Sequence, residues 1–191
     1  PSLPRDGDTG PFLSDPARLT RIATGGRDYA AGFGLGGSSL VNAGIVTGET
    51  AGYRHRLPLE PAGPVGPVGR AVLMADPVAA PARHARRAGR RVTVADVYLE
   101  DAPANLTVVT GVAVERLALD GRRAVGVVTE SGAEHSADRV VVCAGAIGTP
   151  ALLLRSGVDT PGVGDGLQDH LGVALALELA VPVEVTTPAI T

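Results

Sequence analysis

Two turn signals, Asp120-Gly121 and Ser131-Gly132, cut residues 112–136 into three short runs, VAVERLAL, AVGVVTE and AEHS. Alternation with period two gives a strand one buried and one exposed face. Glycine-bearing pairs between such runs predict tight hairpins, and so a three-stranded antiparallel meander. Directly after it, DRVVVCAGA (138–146) is a continuous β-branched run, the pattern of a strand covered on both faces in a parallel sheet. GTPALLLRSG then predicts a helix, with Thr149 as N-cap, Pro150 at the first helical position and Gly157 beyond the last turn. Upstream, NLTVV (105–109) predicts a short buried strand. Strand, meander, strand and helix in succession specify a mixed α/β domain, not a bundle or a sandwich.

The rest of the chain is punctuated by proline and glycine. Residues 1–31 are polar and turn-rich, with Ser14 placed as a helix N-cap ahead of DPARL. The prolines of LPLEPAGPVGPVGRAVLMADPVAAPARHARRAGRR forbid one long helix but allow short ones over GRAVLM and ARHARRAG. From Val92 the pattern turns to strands, and HLGVALALELAVPVEV alternates from Leu171 as a further one.

With 191 residues the chain suits one domain or a portion of something larger. It starts without Met and stops within a strand-like pattern, so a fragment of a longer protein is expected. Net charge of −3 gives no reason to expect nucleic acid. One cysteine, Cys143, excludes an intrachain disulfide framework and suits a reducing, cytoplasmic setting. No apolar run reaches the roughly 18 residues that would span a bilayer.

The segment richest in chemical possibility is GFGLGGSSLVNAGIV (32–46). Gly36 and Gly37 permit positive φ and remove side chains where a ligand must come close. Ser38 and Ser39 add hydroxyls, and N–H groups opening a helix here would favour an anion such as a pyrophosphate. An ordinary turning loop with a serine cap fits equally well. GLGGSS also resembles the GLGSS phosphate loop of galactokinase-like small-molecule kinases, without the proline-led strand that precedes it there. A Walker-type loop is excluded, because no Gly-Lys-Ser/Thr is present.

Other residues carry less. His55, His84 and His135 match no catalytic or metal spacing and are expected at the surface. Arg83, Arg86, Arg87, Arg90 and Arg91 form a basic cluster without interleaved aromatics, expected to be a solvated helix face and not a nucleic-acid patch. Glu100-Asp101 sits at a turn and suggests no paired-carboxylate chemistry.

Three motifs stand in order: GLGGSSLVNAGIV (34–46), VVVCAGAIGTPALLLRSGV (140–158) and GVGDGLQDHLG (162–172). Together they resemble the glucose–methanol–choline (GMC) family of FAD-dependent alcohol oxidoreductases, and RRVTVADVYL and NLTVVTGVAVERL are similar to its linking sequences. The resemblance implies an FAD/NAD(P)-binding Rossmann-like domain carrying the meander, incomplete at its start. Residues 1–169 would belong to that domain, and 170–191 would open an antiparallel substrate domain. Gly36, Gly37 and Ser38 would lie along the FAD pyrophosphate and isoalloxazine edge, with Asn42 and Ala43 beside the ring. Val114 would bond the adenine through its backbone, and Ala144 and Gly145 would form the close approach of the sheet end to the cofactor. Val41 stands where some relatives attach flavin covalently through His, so FAD is expected to be non-covalent. The substrate would be a small-molecule alcohol, the electron acceptor remaining open.

The departures are as specific. Phe33 replaces the usual Arg or Lys, Gly166 the usual Asn, and the stretch from Asn42 to Asp96 is short. No G-x-G-x-x-G with a downstream Glu is present, and the family's C-terminal His, which takes the alcohol proton, has no counterpart here. Gln168, Asp169 and His170 are structural on this reading, so no catalytic residue is assigned, and little or no activity is expected of the chain alone. Exposed sheet edges would make its folding marginal. A truncated protein that binds flavin or a partner without catalysis, and the kinase-like phosphate binder, are the other readings.

Overall fold

Glycine at the turns organises the meander. The computed structural model describes residues 19–22, 29–46, 56–61, 63 and 65–169. They fall into two compact units, one ending at Thr107 and the other beginning at Val108.

In the second unit, β7 (Val114–Asp120), β8 (Arg123–Thr129) and β9 (Glu134–Ser136) form a three-stranded antiparallel sheet in sequence order. The expected meander is present. Its first turn has Gly121 and Arg122 as central residues, with Asp120 paired to Arg123 and only Gly121 at positive φ. The second is a three-residue loop, in which the Gly132 N–H donates to the Thr129 carbonyl at 2.9 Å and Gly132 takes a φ of +83°. β9 passes so close to β8 that a Cβ on Gly126 would press on the His135 carbonyl.

Helix α3 (Gly145–Arg155) lies against β7. Register breaks between Val114 and Arg116, which removes Glu115 from the ladder, and residues at the end of α3 bond to this part of β7. Arg155 Nε donates to the Glu115 carbonyl at 3.1 Å. The Leu117 N–H donates to Ser156 Oγ at 2.8 Å, and that hydroxyl donates to the Leu152 carbonyl. Leu117, Val128 and Leu152 are the buried apolar residues here.

In the first unit, β1 (Leu19–Ile22) pairs antiparallel with β2 (Tyr29–Gly32). A second sheet has β5 (Arg83–Arg87) at its centre, flanked by β3 (Ile45–Val46) and β4 (Leu59–Pro61). β6 (Arg90–Arg91) folds back on β5 through Ala88 and Gly89, both at positive φ, the geometry of a primed hairpin turn. Helix α1 (Pro67–Ala75) covers the expected GRAVLM helix, with proline in its first turn. Helix α2 is short (Val94–Tyr98). Leu40, Val41 and Ala85 are the buried apolar residues among those described in this unit.

Several expectations are corrected. ARHARRAG is a hairpin, not a helix: Ala and Arg favour helix locally, but β3 and β4 pair with the start of β5 and β6 pairs with Arg86 and Arg87. Val94–Tyr98 is helical where strands were expected, because Thr93 and Asp96 form a capping box. NLTVV and DRVVVCAGA lie outside any sheet, and Val141 is 75% exposed. Strand-forming residues need a partner ladder, and every pairing among the described residues is antiparallel and excludes these two segments. Ala144, not Thr149, is the N-cap of α3. Pro150 is inside the helix, and Gly157 follows it at positive φ as expected. His84 is buried, not superficial. Ser14, His55, His170 and the strand expected from Leu171 lie outside the described residues.

Candidate functional site

The glycine-rich loop leaves β2 at Gly32, turns through a four-residue 3-10 helix (Gly37–Leu40) and enters β3 at Ile45. Gly34, Gly36 and Gly37 have φ of +124°, +105° and +54°, so the turn uses the left-handed freedom that glycine supplies. The helix is too short to carry an anion on its dipole, and the Gly37 N–H already donates to the Gly34 carbonyl at 3.0 Å. What the loop presents is bare backbone. A Cβ on Gly37 would meet nothing within 4 Å, whereas one on Gly36 would touch Ala95 and Thr93. Gly36 therefore faces the body of its unit, and Gly37 leaves open space.

Side chains fasten the loop at three points. Ser38 Oγ accepts from the Gly32 N–H at 3.2 Å and so ties the turn to β2. Ser39 Oγ donates to the Gly36 carbonyl at 2.6 Å and accepts from the Val94 N–H at 3.2 Å, capping α2 from outside the helix. Arg91 Nη2 donates to the Ser39 carbonyl at 2.7 Å and to Asn42 Oδ1 at 2.6 Å. The same carboxamide oxygen accepts from the Gly44 N–H at 3.1 Å. Both partners can only donate, so the oxygen of Asn42 must face them, and its NH2 group is what the exposed residue can still offer.

Beneath the loop, the capping box holds α2. Thr93 Oγ1 accepts from the Asp96 N–H at 3.3 Å, while Asp96 Oδ2 accepts from the Thr93 N–H and hydroxyl, both at 2.8 Å. Burial, and then the Arg86 guanidinium, push the Arg91 pKa below the usual arginine value. His84, beside it in β5, is held below the ordinary histidine range by burial first and then by Arg86 and Arg91. Its Nδ1 has no hydrogen-bond partner among the described residues.

The first unit thus holds Gly36, Gly37, Ser38, Asn42 and Ala43 together in one loop. Val114, Ala144 and Gly145 belong to the second. Val114 opens β7 beside the break in register. Ala144 donates its N–H to Thr149 Oγ1 at 3.1 Å, and Gly145 has a φ of +83° with nothing within 4 Å of its Cβ position. Like Gly37, it is backbone that a large ligand can approach closely.

Sequence reasoning missed Arg91 and Thr93. The Thr-x-x-Asp capping pattern was a usable signal for Thr93; Arg91 had none, because its partners lie some 49 residues away. Among the described residues there is no group of His, Cys, Asp and Glu able to hold a metal ion. No described helix is long and apolar enough to cross a membrane.

Comparison with known proteins places the chain in a family. The chain is 40% identical over 116 residues to the oxygen-dependent choline dehydrogenases of Burkholderia cenocepacia (strain HI2424) and Burkholderia vietnamiensis (strain G4 / LMG 22486). Those matches cover 50% of this chain and 20% of each relative, so the chain spans about a fifth of their length. The crystal structure of pyridoxine 4-oxidase from Mesorbium loti superposes with a TM-score of 0.66 at 26% identity, over 83% of this chain and 45% of that one. The family model for GMC oxidoreductases matches residues 77–172, a segment that runs from the Arg91 hairpin through the meander to α3. The chain belongs to the GMC oxidoreductase family.

Proposed function

We propose that the chain forms part of the FAD-binding portion of an oxidoreductase that removes hydride from the CH–OH group of a small alcohol. The observation that carries this reading is the open backbone at Gly37, in a loop fastened through the Gly36 carbonyl, within a GMC chain. A dinucleotide needs a rigid loop without side chains along its pyrophosphate, and Ser38, Ser39 and Arg91 make this loop rigid. Choline and pyridoxine, named in the relatives, both carry a primary hydroxyl, which favours an alcohol as donor.

On this reading residues 1–169 contribute to a Rossmann-like FAD domain and 170–191 open the substrate domain. Gly36, Gly37 and Ser38 line the pyrophosphate and the isoalloxazine edge, and Asn42 and Ala43 lie beside the ring. Val114 offers its backbone to the adenine, while Ala144 and Gly145 allow close approach. With Val41 in place of a histidine, FAD is held without a covalent bond. FAD, when bound, supplies the hydride acceptor. The residues of this chain bind and orient; none is assigned the alcohol proton. The free, exposed Cys143 suits a cytoplasmic setting.

FAD titration tests the reading. Saturable uptake with a structured flavin spectrum supports it, and loss of uptake in a G37V variant, which fills the open space, supports the loop as the site. ATP turnover without flavin uptake would overturn it in favour of the kinase-like alternative.

A further inference from the structure

We propose that Arg91 is a positioning residue for the cofactor: it acts through Asn42, fixing the carboxamide so that its NH2 group donates to the flavin. The inference rests on the FAD reading and goes beyond it, because that reading makes Arg91 only a brace of the loop and gives it no role toward the cofactor.

Three observations carry it. One guanidinium nitrogen, Nη2, holds both the Ser39 carbonyl and Asn42 Oδ1, so loop backbone and loop side chain are set by one planar group. The Gly44 N–H completes the pair of donors on Oδ1, which leaves the carboxamide no flipped state of equal energy. The guanidinium also lies under Gly44, where a Cβ would rest in van der Waals contact 3.8 Å from Arg91 Cζ and Nη1. A charge-assisted bond to the oxygen draws electron density from the amide nitrogen and makes its N–H groups better donors.

The test uses Asn42→Asp, Asn42→Ala, Arg91→Met, Arg91→Lys and the double variant Arg91→Met/Asn42→Ala. Each is read by its FAD dissociation constant and by visible circular dichroism of bound flavin. Asn42→Asp keeps an oxygen for Arg91 and Gly44 but replaces the NH2 donor with an acceptor. It should fold as wild type and bind FAD about tenfold more weakly or worse, the loss expected for one hydrogen bond of this kind. Arg91→Met should weaken FAD to a similar degree with an altered flavin spectrum, and Arg91→Lys should recover part of both. The double variant should be no weaker than the weaker single variant, because both changes remove the same interaction.

Additive losses would overturn the inference, since an arginine that merely braced Ser39 would not depend on Asn42. Should Arg91→Met lose its fold, Asn42→Asp decides: wild-type FAD binding in that variant overturns the role of the NH2 group and of Arg91 with it. Failure of the wild-type protein to take up FAD would overturn the flavin reading itself, an outcome distinct from these.

Discussion

Replacing Gly32 by Ala should disable the glycine-rich loop more severely than replacing Gly37, although Gly37 is the more conspicuous glycine. At Gly32 a Cβ would lie 2.6 Å from Ser38 Cα and 2.8 Å from Gly37 C. Carbon atoms rest at about 3.5–4.0 Å, so the shortfall is about 1 Å, and the obstruction is backbone that cannot rotate away. Opening the gap would break the bond from the Gly32 N–H to Ser38 Oγ and disturb the pairing of Gly32 with Leu19. Overpacking together with one lost hydrogen bond costs about 2–4 kcal/mol. At Gly37 a Cβ would meet nothing within 4 Å, and only the φ of +54° is penalised, by about 1–2 kcal/mol. Urea denaturation followed by circular dichroism measures both variants. If G32A is as stable as wild type, or less destabilised than G37A, the close approach of β2 to the turn is wrong and the account of the loop fails with it.

Three further outcomes follow from the same geometry. T93A removes the capping-box hydroxyl from a residue only 4% exposed and should cost about 1 kcal/mol, read as a Tm lower by about 2–4 °C; an unchanged Tm would refute the cap. His84 has a folded-state pKa below its unfolded value, so the unfolded chain binds the extra proton; stability is full above the ordinary histidine pKa of about 6.5 and falls as pH drops below it. Arg86 and Arg91 oppose its charging, and Glu60 across the sheet already accepts from the Gly89 N–H, so H84Q should flatten that acid limb in urea midpoints taken between about pH 8 and pH 5. E100Q should leave Tm unchanged, because the Arg87–Glu100 pair at 2.6 Å has both side chains about half exposed and water screens it.

The meander was legible because its information is local. Alternation, Gly121 and Gly132 specify strands and turns within a few residues of one another, and α1 and Gly157 follow from the same short-range rules. DRVVVCAGA and NLTVV misled for the opposite reason. A β-branched run shows that a strand can form, while forming one depends on a partner ladder that lies elsewhere in the chain. The basic segment Arg83–Arg91 misled through composition. Its Ala and Arg content favours helix, but β5 pairs with segments more than twenty residues earlier and β6 folds back on β5, and those pairings outweigh propensity.

For the candidate site the division is sharper. The amino-acid sequence alone determined that a bare Gly-Gly-Ser-Ser turn exists, that it ends in an asparagine, and that the chain resembles flavin-dependent alcohol oxidoreductases. Only the tertiary structure decided which side of the turn is open, which hydroxyls are spent on holding it, and which way the Asn42 carboxamide faces. Those depend on Arg91 and Val94, brought to the loop across 49 to 55 residues by strand pairing and a capped helix. A hydrogen bond is made by position in space, and residues so far apart in sequence acquire positions relative to one another only when the chain has folded.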